Sequence, residues 1–153
     1  MLEIERKFLV ASSSWQAHTS SSVPIEQGYM CNSPTVRVRR YGDQGFLTIK
    51  GPTQGISRAE FEYEIDPDEA QVMLDTLCLP GRIKKVRHIL EHAGKEWVID
   101  EFALENQGLV LAEIELSSED EQFELPDWVG EEVSDDPRYF NSALARTPFS
   151  TWG

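Results

Sequence analysis

The chain has only two cysteines and three histidines in 153 residues. Cys31 and Cys78 are far apart and match neither a disulfide framework nor a CxxC zinc pattern, so both are expected as free thiols. No apolar run approaches the roughly 20 residues that span a bilayer. The first residues lack the basic, apolar and cleavage regions of a secretory signal, which leaves the cytoplasm as the expected location. There is no internal repeat, low-complexity linker or break in composition, so residues 1–153 are expected to form one domain. Basic residues are also scarce: 14 Lys and Arg stand against 27 Asp and Glu, a formal charge of −13. Such a surface repels nucleic-acid phosphates and anionic lipid, so neither is expected as a partner.

What is present is an apolar and aromatic content sufficient for a core: 40% of residues are hydrophobic, with four Trp, four Tyr and seven Phe. Most of it is arranged with period two, the spacing of strands. Residues 2–10 read as a first strand. Ser12-Ser13-Ser14 before Trp15 suggests a short helical turn, and the Ser-rich stretch to Ser22 reads as loop. Further strands are expected over 25–30, 35–41, 46–50, 58–65, 83–91, 97–104 and 109–116. Hairpin-length loops such as Gly42-Asp43-Gln44-Gly45 join many of them. Asp66-Pro67-Asp68-Glu69 starts a helix, with Asp66 at the N-cap and Ala70, Met73, Leu74 and Leu77 as its apolar stripe. Ser118 is expected to cap a short helix, and Asp136-Pro137 to open a last one ending near Arg146. Pro126-Asp127-Trp128 reads as loop.

About eight mainly antiparallel strands with hairpin connections remove their edges by closing on themselves. The expected fold is therefore a closed eight-stranded barrel with helices packed outside. One face of each strand is charged: Glu3, Glu5 and Lys7; Arg37 and Arg39; Lys50; Arg58, Glu60 and Glu62; Lys85 and Arg87; Asp100; Glu113 and Glu115. That set holds seven bases and seven acids, far more balanced than the whole chain. If they face solvent, they are ordinary cross-strand pairs worth under about 1 kcal/mol each. Yet they fall as like-charged pairs two apart, at matching parity on every clear strand, and concentrating them is costly unless a ligand relieves it. Arg and Lys clusters suit a polyanion, and carboxylate clusters without His or Cys suit Mg²⁺ or Mn²⁺. A metal-bound polyphosphate inside the barrel satisfies both, with the apolar face outward under helices or a second subunit.

Glu3-Ile4-Glu5-Arg6-Lys7-Phe8 resembles the ExExK signature of CYTH-domain proteins, the triphosphate tunnel metalloenzymes. The resemblance extends through Gln27-Gly28-Tyr29, Arg37-Val38-Arg39, Leu47-Thr48-Ile49-Lys50-Gly51, Arg58 with Glu60-Phe61-Glu62, Lys85-Val86-Arg87, Asp100 and Glu113-Ile114-Glu115. It continues to Gly130-Glu131-Glu132-Val133 and to Arg138-Tyr139 with Asn141. It implies an eight-stranded tunnel that binds triphosphate and needs Mg²⁺ or Mn²⁺. On this chain it assigns phosphate to Lys7, Arg37, Arg39, Lys50, Arg58, Lys85 and Arg87. Metal falls to Glu3, Glu5, Glu60, Glu62, Asp100, Glu113 and Glu115, with Glu3, Glu5, Glu113 and Glu115 as the core. Lys7, Tyr29 and Glu62 are the catalytic candidates. Glu62 is a possible base; Tyr29 is either a second one, its phenol eased toward ionisation by Lys7, or a wall aromatic. His18, His88 and His92 are expected in surface or packing roles, and Trp97 and Trp128 in the core. The implied activity is hydrolysis of inorganic tripolyphosphate by a monomer or homodimer. Alternatives are a class IV-type adenylate cyclase, a thiamine triphosphatase and a non-catalytic polyphosphate-binding module.

Overall fold

A computed structural model describes residues 1–153. Nine strands run in chain order: β1 Leu2–Val10, β2 Thr19–Asn32, β3 Thr35–Tyr41, β4 Gln44–Lys50, β5 Ser57–Ile65, β6 Ile83–His92, β7 Lys95–Phe102, β8 Val110–Glu115 and β9 Val129–Glu132. Two α-helices, α1 Pro67–Thr76 and α2 Asn141–Arg146, accompany them, with short 3₁₀ turns. The hydrogen-bonded order is β5-β4-β3-β2-β6-β7-β8-β1, every neighbour antiparallel. Pairing of Leu2–Ile4 with Ser57–Ala59 closes the ring at β1 and β5. The result is the expected eight-stranded barrel. The short β9, not expected from the sequence, lies against β1 at Phe8–Val10.

Two of the three apolar clusters lie outside the barrel. Ile4, Phe8, Leu90, Ile99, Ala112 and Ile114 point away from the axis and are covered by Trp15, Trp97, Trp128 and the partly buried Phe123. Trp97 and Trp128 meet edge-to-face at 5.5 Å, an arrangement that adds to their area burial. On the next sector, Ala70 and Leu74 of α1 pack over Val38, with Met30, Leu47 and Ile65 beside them. The α1 start forms as expected: the Asp66 carboxylate accepts from the backbone N–H of Asp68 and Glu69. The β5 outer face is left open, with Phe61 and Tyr63 exposed.

A third cluster lies on the inward parity at one end of the barrel, where Leu144 and Ala145 of α2 pack against Ile83, Phe102, Leu109 and Leu111. The approach is close. Gly81 has φ +96°, and a Cβ there would sit 1.9 Å from the Ala145 carbonyl oxygen, so only glycine allows the contact.

Three local expectations are corrected. The Ser-rich stretch belongs to β2, whose Thr19–Ser22 end pairs with β6; Ser20 donates to the Ile89 carbonyl, and the Ser22 hydroxyl bonds His88. Ladder bonding and side-chain partners let a polar segment extend the strand without apolar alternation. No helix forms at Ser118; the Glu121 carboxylate instead accepts from the Ser117 N–H and pairs with Lys95. The last helix is split into a 3₁₀ turn, Pro137–Tyr139, and α2, because Phe140 is extended at φ −66°, ψ 137°. That break turns Phe140, Asn141 and Ser142 toward the barrel interior. No helix is long and apolar enough to cross a membrane.

Candidate active site

The inward parity of the strands opens on a cavity of about 370 Å³, within the range of small-molecule sites. Thirteen of the fourteen charged residues expected to share it do so: Glu3, Glu5, Lys7, Arg37, Arg39, Lys50, Arg58, Glu60, Glu62, Lys85, Arg87, Glu113 and Glu115. The register explains the clustering. Glu5 lies opposite Glu115 and Lys7 opposite Glu113, while Thr48 faces Arg37 on one side and Glu62 on the other. Asp100 is the exception. It shares the parity but is fully buried behind the wall, its oxygens accepting from Lys85 at 2.7 Å and from Arg87 at 2.8 and 2.9 Å. In this position it is a counter-ion beneath two bases, not an open ligand.

The basic wall is unevenly compensated. Lys50 pairs with Glu3 at 3.0 Å and Glu60 at 3.4 Å, and Arg58 reaches Glu3 at 3.4 Å. Lys7 pairs with Glu113 at 3.4 Å and donates to the Tyr139 carbonyl at 3.0 Å. Burial pulls Lys7 down, but Glu113, Glu5 and Asp100 outweigh it and keep it an ammonium. Arg39 is different: it is buried, and its Nε donates only to the neutral Gln27 Oε1 at 2.7 Å. Burial, with Arg37 and Arg87 nearby, lowers it to about 9. Arg37 contacts Thr48 and Glu62, yet its buried Nε has no partner. These two guanidiniums are the unsatisfied end of the wall.

Among the acids, burial pushes Glu3 up, but Lys50 and Arg58 outweigh it and hold the carboxyl at about 2. Glu5 goes the other way, raised to about 7 by burial and by the carboxylates of Glu113 and Glu3. Burial and Glu3 raise Glu60 and Glu115 as well. No three carboxylates stand close enough to form a finished coordination sphere. Their chemistry nonetheless fits a hard divalent ion: they are oxygen donors whose mutual repulsion such an ion would remove.

Of the two readings open for Tyr29, base or wall aromatic, its burial favours the second. It lines the tunnel, but burial raises its phenol against Arg37, Arg39 and Lys7, so it stays neutral. Its hydroxyl accepts from Gln27 Nε2 at 2.9 Å. Glu62 binds Thr48 at 2.9 Å and Arg37 at 3.4 Å through one oxygen, Oε2, leaving Oε1 free. His88 points outward, bonded to Ser22 and Glu101 and tilted against Trp15. Gln27, Thr48 and Asn141 take part in the site without having been given roles from the sequence. Thr48 sits on the charged parity of its strand with Lys50, which is a usable signal, whereas Gln27 shares its parity with Tyr29 and with no charged residue. Asn141 reaches the tunnel from a helix start and has none.

Comparison with known proteins places these features. The CYTH domain family model matches residues 1–141. The curated inorganic triphosphatase of Acetivibrio thermocellus is 45% identical over 152 residues, spanning 98% of this chain and 97% of that protein. That of Nitrosomonas europaea is 40% identical over 152 residues, spanning 95% and 97%. A solved inorganic triphosphatase superposes with a TM-score of 0.68 at 35% identity, covering 94% of this chain and 93% of the other. A Pyrococcus horikoshii protein at 21% identity and TM-score 0.58 shares the fold over 76% of this chain and 80% of its own.

Proposed function

The chain belongs to the CYTH-domain family, and on that premise we propose that it is a metal-dependent triphosphatase cleaving inorganic tripolyphosphate to pyrophosphate and orthophosphate. The observation that carries this reading is the presence, in one tunnel, of Arg39 without a carboxylate partner and Arg37 with an unpartnered Nε, beside the mutually repelling acids around Glu5. A polyanion satisfies the first group and a divalent cation the second, and a metal triphosphate supplies both. The two curated inorganic triphosphatases, alike over nearly their whole length, support the same substrate.

Lys7, Arg37, Arg39, Lys50, Lys85 and Arg87 bind the phosphate oxygens, with Arg58 at the edge of the set. Their cationic side chains are held in place before substrate arrives, so they neutralise charge that spreads over the transferred group without reorganising. Asp100 fixes Lys85 and Arg87 in that wall. Glu3, Glu5, Glu113 and Glu115 would hold Mg²⁺ or Mn²⁺, with Glu60 beside them. A divalent ion so held supplies Lewis-acid neutralisation of the phosphate oxygens. Glu62 Oε1 takes the proton of the attacking water while Thr48 and Arg37 hold its other oxygen. Water adds to the terminal phosphorus, the bond to the bridging oxygen breaks, and pyrophosphate leaves. Tyr29, neutral and hydrogen-bonded, positions the wall and is not the base.

The test is phosphate release from tripolyphosphate, ATP and thiamine triphosphate, each with Mg²⁺, Mn²⁺ or a chelator. Turnover fastest with tripolyphosphate and absent in chelator supports the reading. Cyclic AMP from ATP would replace it with a cyclase, and binding without turnover with a binding module.

A further inference from the structure

Two groups on different strands converge on Asn141, and neither of them needs its amide nitrogen. Asn141 Oδ1 accepts from Lys85 Nζ at 2.9 Å and from Gln27 Nε2 at 3.1 Å. A flipped amide would set its NH₂ against the Lys85 ammonium and the Gln27 NH₂, donor against donor, so the orientation is determined. The backbone just before it is anchored as well, since Lys7 Nζ donates to the Tyr139 carbonyl. With Oδ1 committed to the wall, the two N–H groups of Asn141 have no protein acceptor, and the residue lines the tunnel. Buried unpartnered polar atoms do occur in this molecule, Arg37 Nε among them, but Asn141 Nδ2 is not one of them. It therefore keeps access to solvent, on a residue that lines the cavity.

We infer that Asn141 is a substrate-contacting residue: its NH₂ donates to a phosphate oxygen held between Lys7 and Lys85. This rests on the proposed triphosphate reading and extends it, because it adds a neutral, directional donor to a wall of charges. Ammonium and guanidinium groups attract any nearby oxygen. An amide N–H held by two fixed acceptor bonds favours an oxygen at one position and so sets how far the chain of phosphates enters. The break at Phe140 is what delivers the amide there.

The experiment follows the side-chain NH₂ resonances of ¹⁵N-labelled protein as tripolyphosphate is added in chelator, where nothing turns over. The Asn141 pair is identified by its loss in Asn141→Asp. We expect that pair to move downfield to saturation, and Asn141→Ala to raise KM about tenfold or more in the metal-activated assay with little change in kcat. Asn141→Asp keeps the acceptor for Lys85 and Gln27 but removes the donor. It should raise KM too, while melting within a few degrees of the parent. If Asn141→Asp keeps the parent KM, or the NH₂ pair stays still while tripolyphosphate binds, Asn141 only supports Lys85 and the inference fails. Failure of tripolyphosphate to bind the parent at all would instead remove the triphosphate reading itself.

Discussion

Replacing Glu5 by Gln should destroy activity and stabilise the metal-free protein. The carboxyl is raised from 4.5 to about 7 by burial and by Glu113 and Glu3. The folded value exceeds the unfolded one, so the folded chain holds an extra proton between them. Stability from this group is full below about 4.5 and is lost as pH rises through about 7. The whole displacement corresponds to about 3 kcal/mol at 1.36 kcal/mol per pH unit. Tunnel water screens part of it, leaving about 2 kcal/mol. Glutamine mimics the protonated acid and avoids the penalty. For a chain of this length, about 2 kcal/mol raises Tm by roughly 4–8 °C. Melting of parent and Glu5→Gln in chelator at pH 4 and pH 8.5 should give nearly equal values at the lower pH and a gain of that size at the higher one. Equal melting at pH 8.5, or a gain of full size at pH 4, would show that Glu5 does not carry the repulsion assigned to it.

Arg39→Ala should weaken tripolyphosphate binding about 10- to 100-fold by calorimetry, since it deletes a charge-assisted donor with no protein counter-ion; unchanged affinity would remove Arg39 from the phosphate wall. Tyr29→Phe should leave the shape of the pH–rate profile intact, because a phenol raised by burial is not the base. A lost basic or acidic limb would restore Tyr29 to the chemistry. Gly81→Ala should lower the urea midpoint by an amount equivalent to about 2 kcal/mol or more, from strain at φ +96° and the clash with Ala145. A change under about 0.5 kcal/mol would mean that α2 docks more loosely than described.

The barrel and its charged interior were legible in the sequence because period-two alternation reports directly which side chains share a face. Thirteen of fourteen charges followed from parity alone. Asp100 did not, since parity gives the side of the sheet and not whether neighbouring long side chains lie over a short one. Tyr29 stayed open between two roles for a related reason: the nearby cations were readable, but the burial that outweighs them was not. The Ser-rich start of β2 escaped notice because its partners, His88 and the Ile89 carbonyl, lie more than 60 residues away. Asn141 lies outside the strands, so their alternation carries no signal for it. Its place at the tunnel depends on the extended Phe140, a tertiary feature with no local pattern.

That both charge types serve one ligand can be measured as linkage. Tripolyphosphate affinity should be determined by calorimetry on Glu62→Gln, slowed by loss of the proposed base, in chelator and at saturating Mn²⁺. If metal and phosphate occupy one tunnel, Mn²⁺ tightens tripolyphosphate at least tenfold, beyond its effect on the free ligand, and tripolyphosphate tightens Mn²⁺ by the same factor. Identical affinities with and without metal would mean that the acids and bases of the barrel act apart.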